Sequence, residues 1–165
     1  MRLLMRSLEN LVASPETFLN EAGQIISTTA KKRAPNDTGA LRRAIDYRLH
    51  KGGMGVDVGV FDRKIKHARL QEYGGTIKPK NSTWLTIPLD PRYKGKSART
   101  FDMTFVSLGG KKYMLDRATG RVAYRLKKTV TIDPKPYLRP AFEDFFNRQF
   151  RDLFTRFLDT GIGGI

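Results

Sequence analysis

The sequence predicts an α+β fold, an antiparallel β-sheet with hairpins flanked by N-terminal helices and a long C-terminal amphipathic helix. Apolar residues recur at helical spacing after Pro15, alternating stretches separated by glycine turns fill the middle, and phenylalanines recur at helical steps near the end. We expect a single domain over residues 1–165. Its predicted parts are the N-terminal helices (1–35), the strand-rich body (45–132), the C-terminal helix (136–160) and a flexible tail (161–165).

The first long helix has a recognisable start and end. Ser14 followed by Pro15 is typical of a helix N-terminus, because serine caps the helix and proline suits its first position. Pro35 disfavours helical geometry at the preceding Ala34, so the helix should end there. Leucines within residues 3–12 predict a separate short helix before it.

A tight turn and a short second helix come next. Asp37 or Thr38 can cap this helix, which runs to Ile45. Gly39 or Asn36 is expected to supply a left-handed backbone. We therefore predict a structural role for this turn, carried by Pro35, Asp37, Thr38 and Gly39.

The middle of the chain predicts short strands joined by turns. Glycine-containing turns divide residues 46–60 and residues 112–126 into two hairpins. Residues 84–89 predict another strand, and Pro88 favours a sheet edge or a strand end because proline lacks the N–H that a sheet interior requires.

Residues 136–160 predict an amphipathic helix that packs on the protein rather than on a membrane. Acidic residues on its polar side, among them Glu143, Asp144 and Asp152, would be repelled by an anionic membrane surface. The helix has more apolar positions than one narrow core stripe needs, so part of it should contact a neighbouring subunit. The predicted assembly residues are Phe145, Phe146, Phe150, Phe154 and Phe157.

Charge points to an anionic partner. The chain has 31 Lys and Arg against 16 Asp and Glu, a net charge of +15. Many of these cations fall in predicted loops, without a helix to read bases, which suits contact with a phosphate backbone of any sequence. Docking onto an acidic protein surface is the competing use, and we expect a mixture with docking slightly ahead, because the basic loops are dispersed along the chain. The predicted DNA-facing or docking residues are Lys31, Lys32, Arg33, Arg42, Arg43, Lys78, Lys80, Lys111 and Lys112.

No motif of catalysis is present. The chain has no cysteine, and its two histidines, His50 and His67, form no ligand-spaced pair. We therefore expect no enzyme activity, no cofactor and no metal. A small ribonuclease-like enzyme that uses either histidine ranks last among the alternatives. No stretch approaches the length of a membrane span, so no membrane partner is expected.

Three segments together resemble a family of neck and tail-completion proteins of long-tailed bacteriophages. Residues 34–45 (APNDTGALRRAI), 67–75 (HARLQEYGG) and 135–142 (KPYLRPAF) follow the order of the family signatures. The resemblance implies a fold similar to tail-terminator proteins. It also implies a structural virion protein of the neck or tail, made in the host cytoplasm.

The same resemblance implies how such a protein works. It would form a homo-oligomeric ring of six or twelve subunits, join head to tail and let double-stranded DNA pass. Its partners would be other neck, head-closure and tail proteins, with non-specific contact to the DNA. The alternative, favoured by charge alone, is a monomeric nucleic-acid-binding protein that is insensitive to sequence.

Overall fold

The computed structural model describes residues 15–162 and confirms the α+β class. The predicted short helix within residues 3–12, the Ser14 cap and the last three residues of the predicted tail lie outside this range. The described residues form two compact units. Unit 1 is the described part of Met1–Gly74 and Asp133–Ile165, and unit 2 is Gly75–Ile132.

Unit 1 combines helices with one antiparallel hairpin, as the alternating pattern of residues 46–60 predicts. Its C-terminal helix is divided by a single π-helical turn, Phe145–Gln149. The elements in chain order are α1 (Pro15–Arg33), α2 (Ala40–Ala44), β1 (Ile45–Leu49), β2 (Val56–Val60), α3 (Ala68–Tyr73), α4 (Leu138–Asp144) and α5 (Phe150–Ile162).

Helix α1 forms the centre of unit 1. It ends at Arg33, as expected from the effect of Pro35 on the residue before it. Apart from Ile26, its buried residues are small, which lets the hairpin approach closely. A Cβ atom on Gly23 would lie 2.6 Å from Cδ2 of Tyr47, so only glycine fits this crossing. The core residues around α1 include Ala22, Ile26, Ala30, Ile45, Ala141, Phe145 and Leu153.

Unit 2 contains two antiparallel sheets. Strands β3 and β8 pair with each other, and the other four strands form a sheet in the order β4-β7-β6-β5. Strand β4 lies at the edge of this sheet and ends at Pro88, which confirms the sequence prediction. The strands are β3 (Gly75–Ile77), β4 (Leu85–Pro88), β5 (Met103–Leu108), β6 (Lys111–Asp116), β7 (Arg121–Lys127) and β8 (Val130–Ile132).

Two buried tyrosines hold the loop between β4 and β5 against the four-stranded sheet. The Tyr93 hydroxyl donates to Oδ2 of Asp116 at 2.5 Å. The Tyr124 hydroxyl donates to the Lys96 carbonyl at 3.1 Å. The hydrogen bond from Tyr93, stronger than the opposing effect of burial, lowers the pKa of Asp116. The ionised carboxylate is therefore part of the fold of unit 2.

Replacing Asp116 with Asn should destabilise unit 2 at neutral pH and not at low pH. Because the pKa of Asp116 is lowered by folding, its stabilising effect is complete above about pH 4 and is lost as the pH falls through the folded-state pKa. Urea unfolding followed by the fluorescence of Trp84, the single tryptophan, tests this. Asp102→Asn, at an exposed carboxylate of the same unit, is the control. An equal effect of Asp116→Asn at pH 3 and pH 7 would contradict the assignment.

Candidate functional site

The turn before α2 is built around a left-handed glycine. Gly39 occupies the N-cap position with φ of 73°. Because glycine has no side chain, it offers the helix no side-chain cap. The Thr38 hydroxyl accepts a hydrogen bond from the Ala40 N–H at 3.4 Å. The positive φ of Gly39 agrees with the left-handed backbone expected at Gly39 or Asn36, and the N-cap position is Gly39 itself rather than Asp37 or Thr38.

Three of the predicted DNA-facing or docking arginines make contacts inside unit 1. Arg33 forms an ion pair with Asp144 of α4. Nε of Arg42 donates to the Ala34 carbonyl at 3.0 Å. Nη2 of Arg43 donates to the Thr38 carbonyl at 3.4 Å. These side chains hold the turn and its neighbouring helices, and an additional role for them at a partner surface remains a prediction.

The second and third sequence motifs meet at the buried carboxylate of Glu72. Its Oε2 accepts hydrogen bonds from the N–H groups of Tyr137 and Leu138 at 2.8 and 2.9 Å, and Oε1 accepts from Arg139 at 2.9 Å. These N–H groups belong to the start of α4, where a helix has no partners of its own for them. Glu72 at the end of α3 therefore caps a helix that begins 66 residues later.

Tyr137 reinforces this junction from within the core. Its side chain is buried, and its hydroxyl lies 3.5 Å from the Ala68 carbonyl. Next to it, the Lys135 N–H donates to the Gln71 carbonyl at 2.7 Å. Burial, with a contribution from the Glu72 carboxylate, raises the pKa of Tyr137 to about 12. The phenol therefore stays protonated, and the junction is structural.

The first and second motifs also share a cleft. A pocket of about 320 Å³ is lined by Pro35, by residues 37–41, and by His67 and Gln71 of the α3 region. All three motifs thus pack together in unit 1. Hydrogen bonds of their residues join α2 to the residue that follows α1, and α3 to the start of α4.

An aromatic face lies along the C-terminal helix of unit 1. Phe18 of α1 contacts the rings of Phe150, Phe154 and Phe157, with centroids 5.5 to 6.0 Å away. Among the predicted assembly residues, Phe145 is in the core at 3% exposure, whereas Phe146 and Phe154 are 59% and 42% exposed. We define the apolar stripe as Phe146, Phe150, Phe154 and Leu158.

Next to this stripe lies an apolar groove of about 540 Å³. It is lined by Phe18 and Leu19 of α1, by the turn that contains Met54, and by Phe154 and Phe157 of α5. Met54 is 92% exposed at its rim. An apolar stripe beside an apolar groove is typical of a protein contact surface.

Unit 2 contains a second, chemically different surface. A groove of about 270 Å³ is lined by Trp84 and by five basic residues, which we call the cationic groove. Sequence reasoning identified two of these residues and missed three that β7 and its C-terminal end contribute. The predicted Lys78 and Lys80 are exposed in unit 2, outside this groove, while Lys32 is exposed in unit 1 and Lys31 is half-buried. The five basic residues are Lys111, Lys112, Arg125, Lys127 and Lys128.

The two histidines occupy separate places in unit 1. Nε2 of His50 lies 3.0 Å from Oδ2 of Asp57 across the β1–β2 hairpin, and both side chains are more than half exposed. His67 lines the cleft beside the first motif. Within residues 15–162, no group of three or more His, Cys, Asp or Glu is placed to hold a metal ion. No helix in that range has the length and apolar content needed to cross a membrane.

Comparison with known proteins confirms the family resemblance of the N-terminal part. Residues 6–74 match the family model described as "Bacteriophage HK97-gp10, putative tail-component". The matched region contains the first motif and almost all of the second, and it ends where unit 2 begins. No curated protein and no solved structure gave a match.

Replacing Glu72 should destabilise unit 1 strongly. Glu72→Ala leaves three N–H groups at the start of α4 without their acceptor, which should cost about 3 kcal/mol or more. Glu72→Gln retains one acceptor oxygen and should have an intermediate effect. Urea unfolding followed by far-UV circular dichroism measures both. Glu143→Ala, at an exposed glutamate of α4, should change stability by less than about 0.5 kcal/mol. Equal stability of Glu72→Ala and Glu143→Ala would refute the cap.

Gly39→Ala should destabilise unit 1 by about 1–2 kcal/mol because an L side chain disfavours positive φ. The added Cβ would also lie 2.8 Å from Nη1 of Arg43, which must then move. Thermal unfolding checks the loss. Gly59→Ala is the control, since its Cβ would meet nothing within 4 Å and its φ is not positive. A control variant that melts below Gly39→Ala would show that the turn is not under this constraint.

Proposed function

We propose that this protein is a structural virion protein that forms a ring at the neck or the head-proximal end of a phage tail. The ring would join head to tail and let DNA pass. The observation that supports this most directly is the match of residues 6–74 to a phage tail component. The exposed apolar stripe and the groove beside it, in the same unit, support the proposal because they suit a protein contact.

The occupant that we propose for the apolar stripe is a second copy of this chain. The stripe runs along one helix with a spacing of four residues, so its exposed apolar surface is narrow and continuous. The C-terminal helix also carries exposed charges of both signs, Glu143 and Asp152 together with Arg148 and Arg151. A neighbouring copy could therefore pair opposite charges around an apolar centre, which is the usual arrangement of a subunit interface.

The exposed cations of unit 1 suit docking onto acidic neighbours in the neck or tail. Lys32, at the C-terminal end of α1, is exposed, and Lys31 beside it is partly exposed. Charges of this kind act mainly on the rate of encounter between partners. Docking by unit 1 and contact between DNA and other basic residues are compatible within one ring.

Particle assembly tests this proposal. Phe146→Ser with Phe154→Ser should reduce the yield of joined, infectious particles by about 30-fold or more, since two exposed aromatic contacts would be lost at each interface. The yield is measured by complementing a phage that lacks the gene, and joined particles are counted by electron microscopy. Thermal unfolding measures the stability lost with the ring contact between Phe154 and Phe18, and particle yield is scored at a temperature at which the variant is folded.

The matched control is Leu89→Ser with Leu108→Ser, which removes two similarly exposed apolar side chains from unit 2. This variant should assemble normally. Normal particle yield from the Phe146 and Phe154 variant would overturn the proposed interface. Particles that lack this chain altogether yet join head to tail would overturn the proposed function itself.

A further inference from the structure

Most of the net positive charge belongs to unit 2. Residues 75–132 contain thirteen Lys and Arg, three Asp and no Glu, a net charge of +10 out of +15 for the whole chain. The family match covers none of these residues, since it ends at residue 74. The charge of the chain is therefore concentrated in the unit for which the tail-component family supplies no function.

Within unit 2, five cations line one groove without a compensating acid. Lys111 and Lys112 come from β6, and Arg125, Lys127 and Lys128 come from β7 and the residue after it. No carboxylate lines the groove. Over residues 15–162, none of the ion pairs uses any of these five side chains. Such a cluster repels itself unless an anion binds there.

Two of the lysine ammonium groups at this groove lie over aromatic rings. Nζ of Lys112 lies 4.5 Å from the ring centroid of Trp84 and 5.7 Å from that of Phe105. Nζ of Lys128 also lies over Trp84, at 5.7 Å. These cation–π contacts position the two ammonium groups and occupy the ring surface on which an unpaired base would stack. The groove is thus suited to phosphates rather than to exposed bases.

We infer that the cationic groove of unit 2 binds the phosphate backbone of double-stranded DNA without sequence preference. Lysine and arginine side chains on strands and at strand ends can contact phosphates, whereas no helix of unit 2 is available to enter the major groove and read bases. The inference goes beyond the proposed function, because it assigns DNA contact to a unit outside the family match and would hold for a monomer or a ring.

Fluorescence anisotropy with the full-length chain tests this site. The probes are two unrelated duplexes of about 30 base pairs and the matching single strands, each titrated at several salt concentrations between about 50 and 200 mM. The groove variant carries Lys111→Ala, Lys127→Ala and Lys128→Ala and leaves Lys112 on Trp84. The control carries Lys51→Ala, Lys64→Ala and Lys66→Ala, three exposed lysines of unit 1 with the same change in charge.

The unsubstituted protein should bind both duplexes equally. The groove variant should bind at least about tenfold more weakly, and the slope of log affinity against log salt should decrease in magnitude by about 3 because three phosphate contacts are lost. The control should stay within about twofold. Trp84 fluorescence and the thermal midpoint report folding. Lys111→Gln with Lys127→Gln is the second variant if the triple substitution does not fold.

Several outcomes would overturn the inference. These are no duplex binding by the unsubstituted protein, equal losses in the groove and control variants, tighter binding of single strands than of duplexes, and displacement of the duplex by polyglutamate at matched charge. The last would identify an acidic protein as the partner. Failure here is distinguishable from failure of the proposed ring, because the Phe146 and Phe154 variant should keep its affinity for duplexes.

Discussion

The buried carboxylate of Glu72 is the contact on which unit 1 depends. It accepts three backbone hydrogen bonds at the start of α4 and so joins segments that are far apart in the chain. A core helix that begins with unpaired N–H groups is costly, and a charged acceptor satisfies them better than a neutral one. Because Glu72 precedes unit 2 and Tyr137 follows it, the same bonds fix both chain ends that lead into the insertion.

This arrangement explains how unit 1 can accommodate an insertion of 58 residues. The entropy of closing a loop grows only slowly with its length, and β3 pairs with β8 close to the point of insertion. Unit 1 uses several of its own cations internally, as Arg33, Arg42 and Arg43 show. Residues 1–74 and 133–165 also hold 13 of the 16 acidic residues, so the excess positive charge resides mainly in unit 2.

Local sequence patterns predicted the helices and strands, but they did not predict the contacts between residues far apart in the chain. The end of α1 before Pro35, the two hairpins and the edge position of Pro88 follow from backbone restrictions that act on neighbouring residues. The Glu72 cap has no local signal, since its partners lie 65 to 67 positions away. The pairing of Lys112 with Trp84 and the use of Arg42 on a carbonyl also depend on tertiary structure. The net charge of residues 75–132, taken apart from the rest of the chain, is a sequence signal that indicates the cationic unit.

The π-helical turn explains why the C-terminal helix has both a core side and an exposed apolar stripe. In a regular α-helix, Phe145 and Leu153 would point about 80° apart, because eight residues make about 2.2 turns. The Phe150 N–H instead donates to the Phe145 carbonyl, five residues earlier, which takes up one extra residue and reduces this offset to about 20°. Both side chains are consequently buried. Phe146 is then displaced from the core, and with Phe154 and Leu158 it forms the apolar surface that a neighbouring subunit would cover.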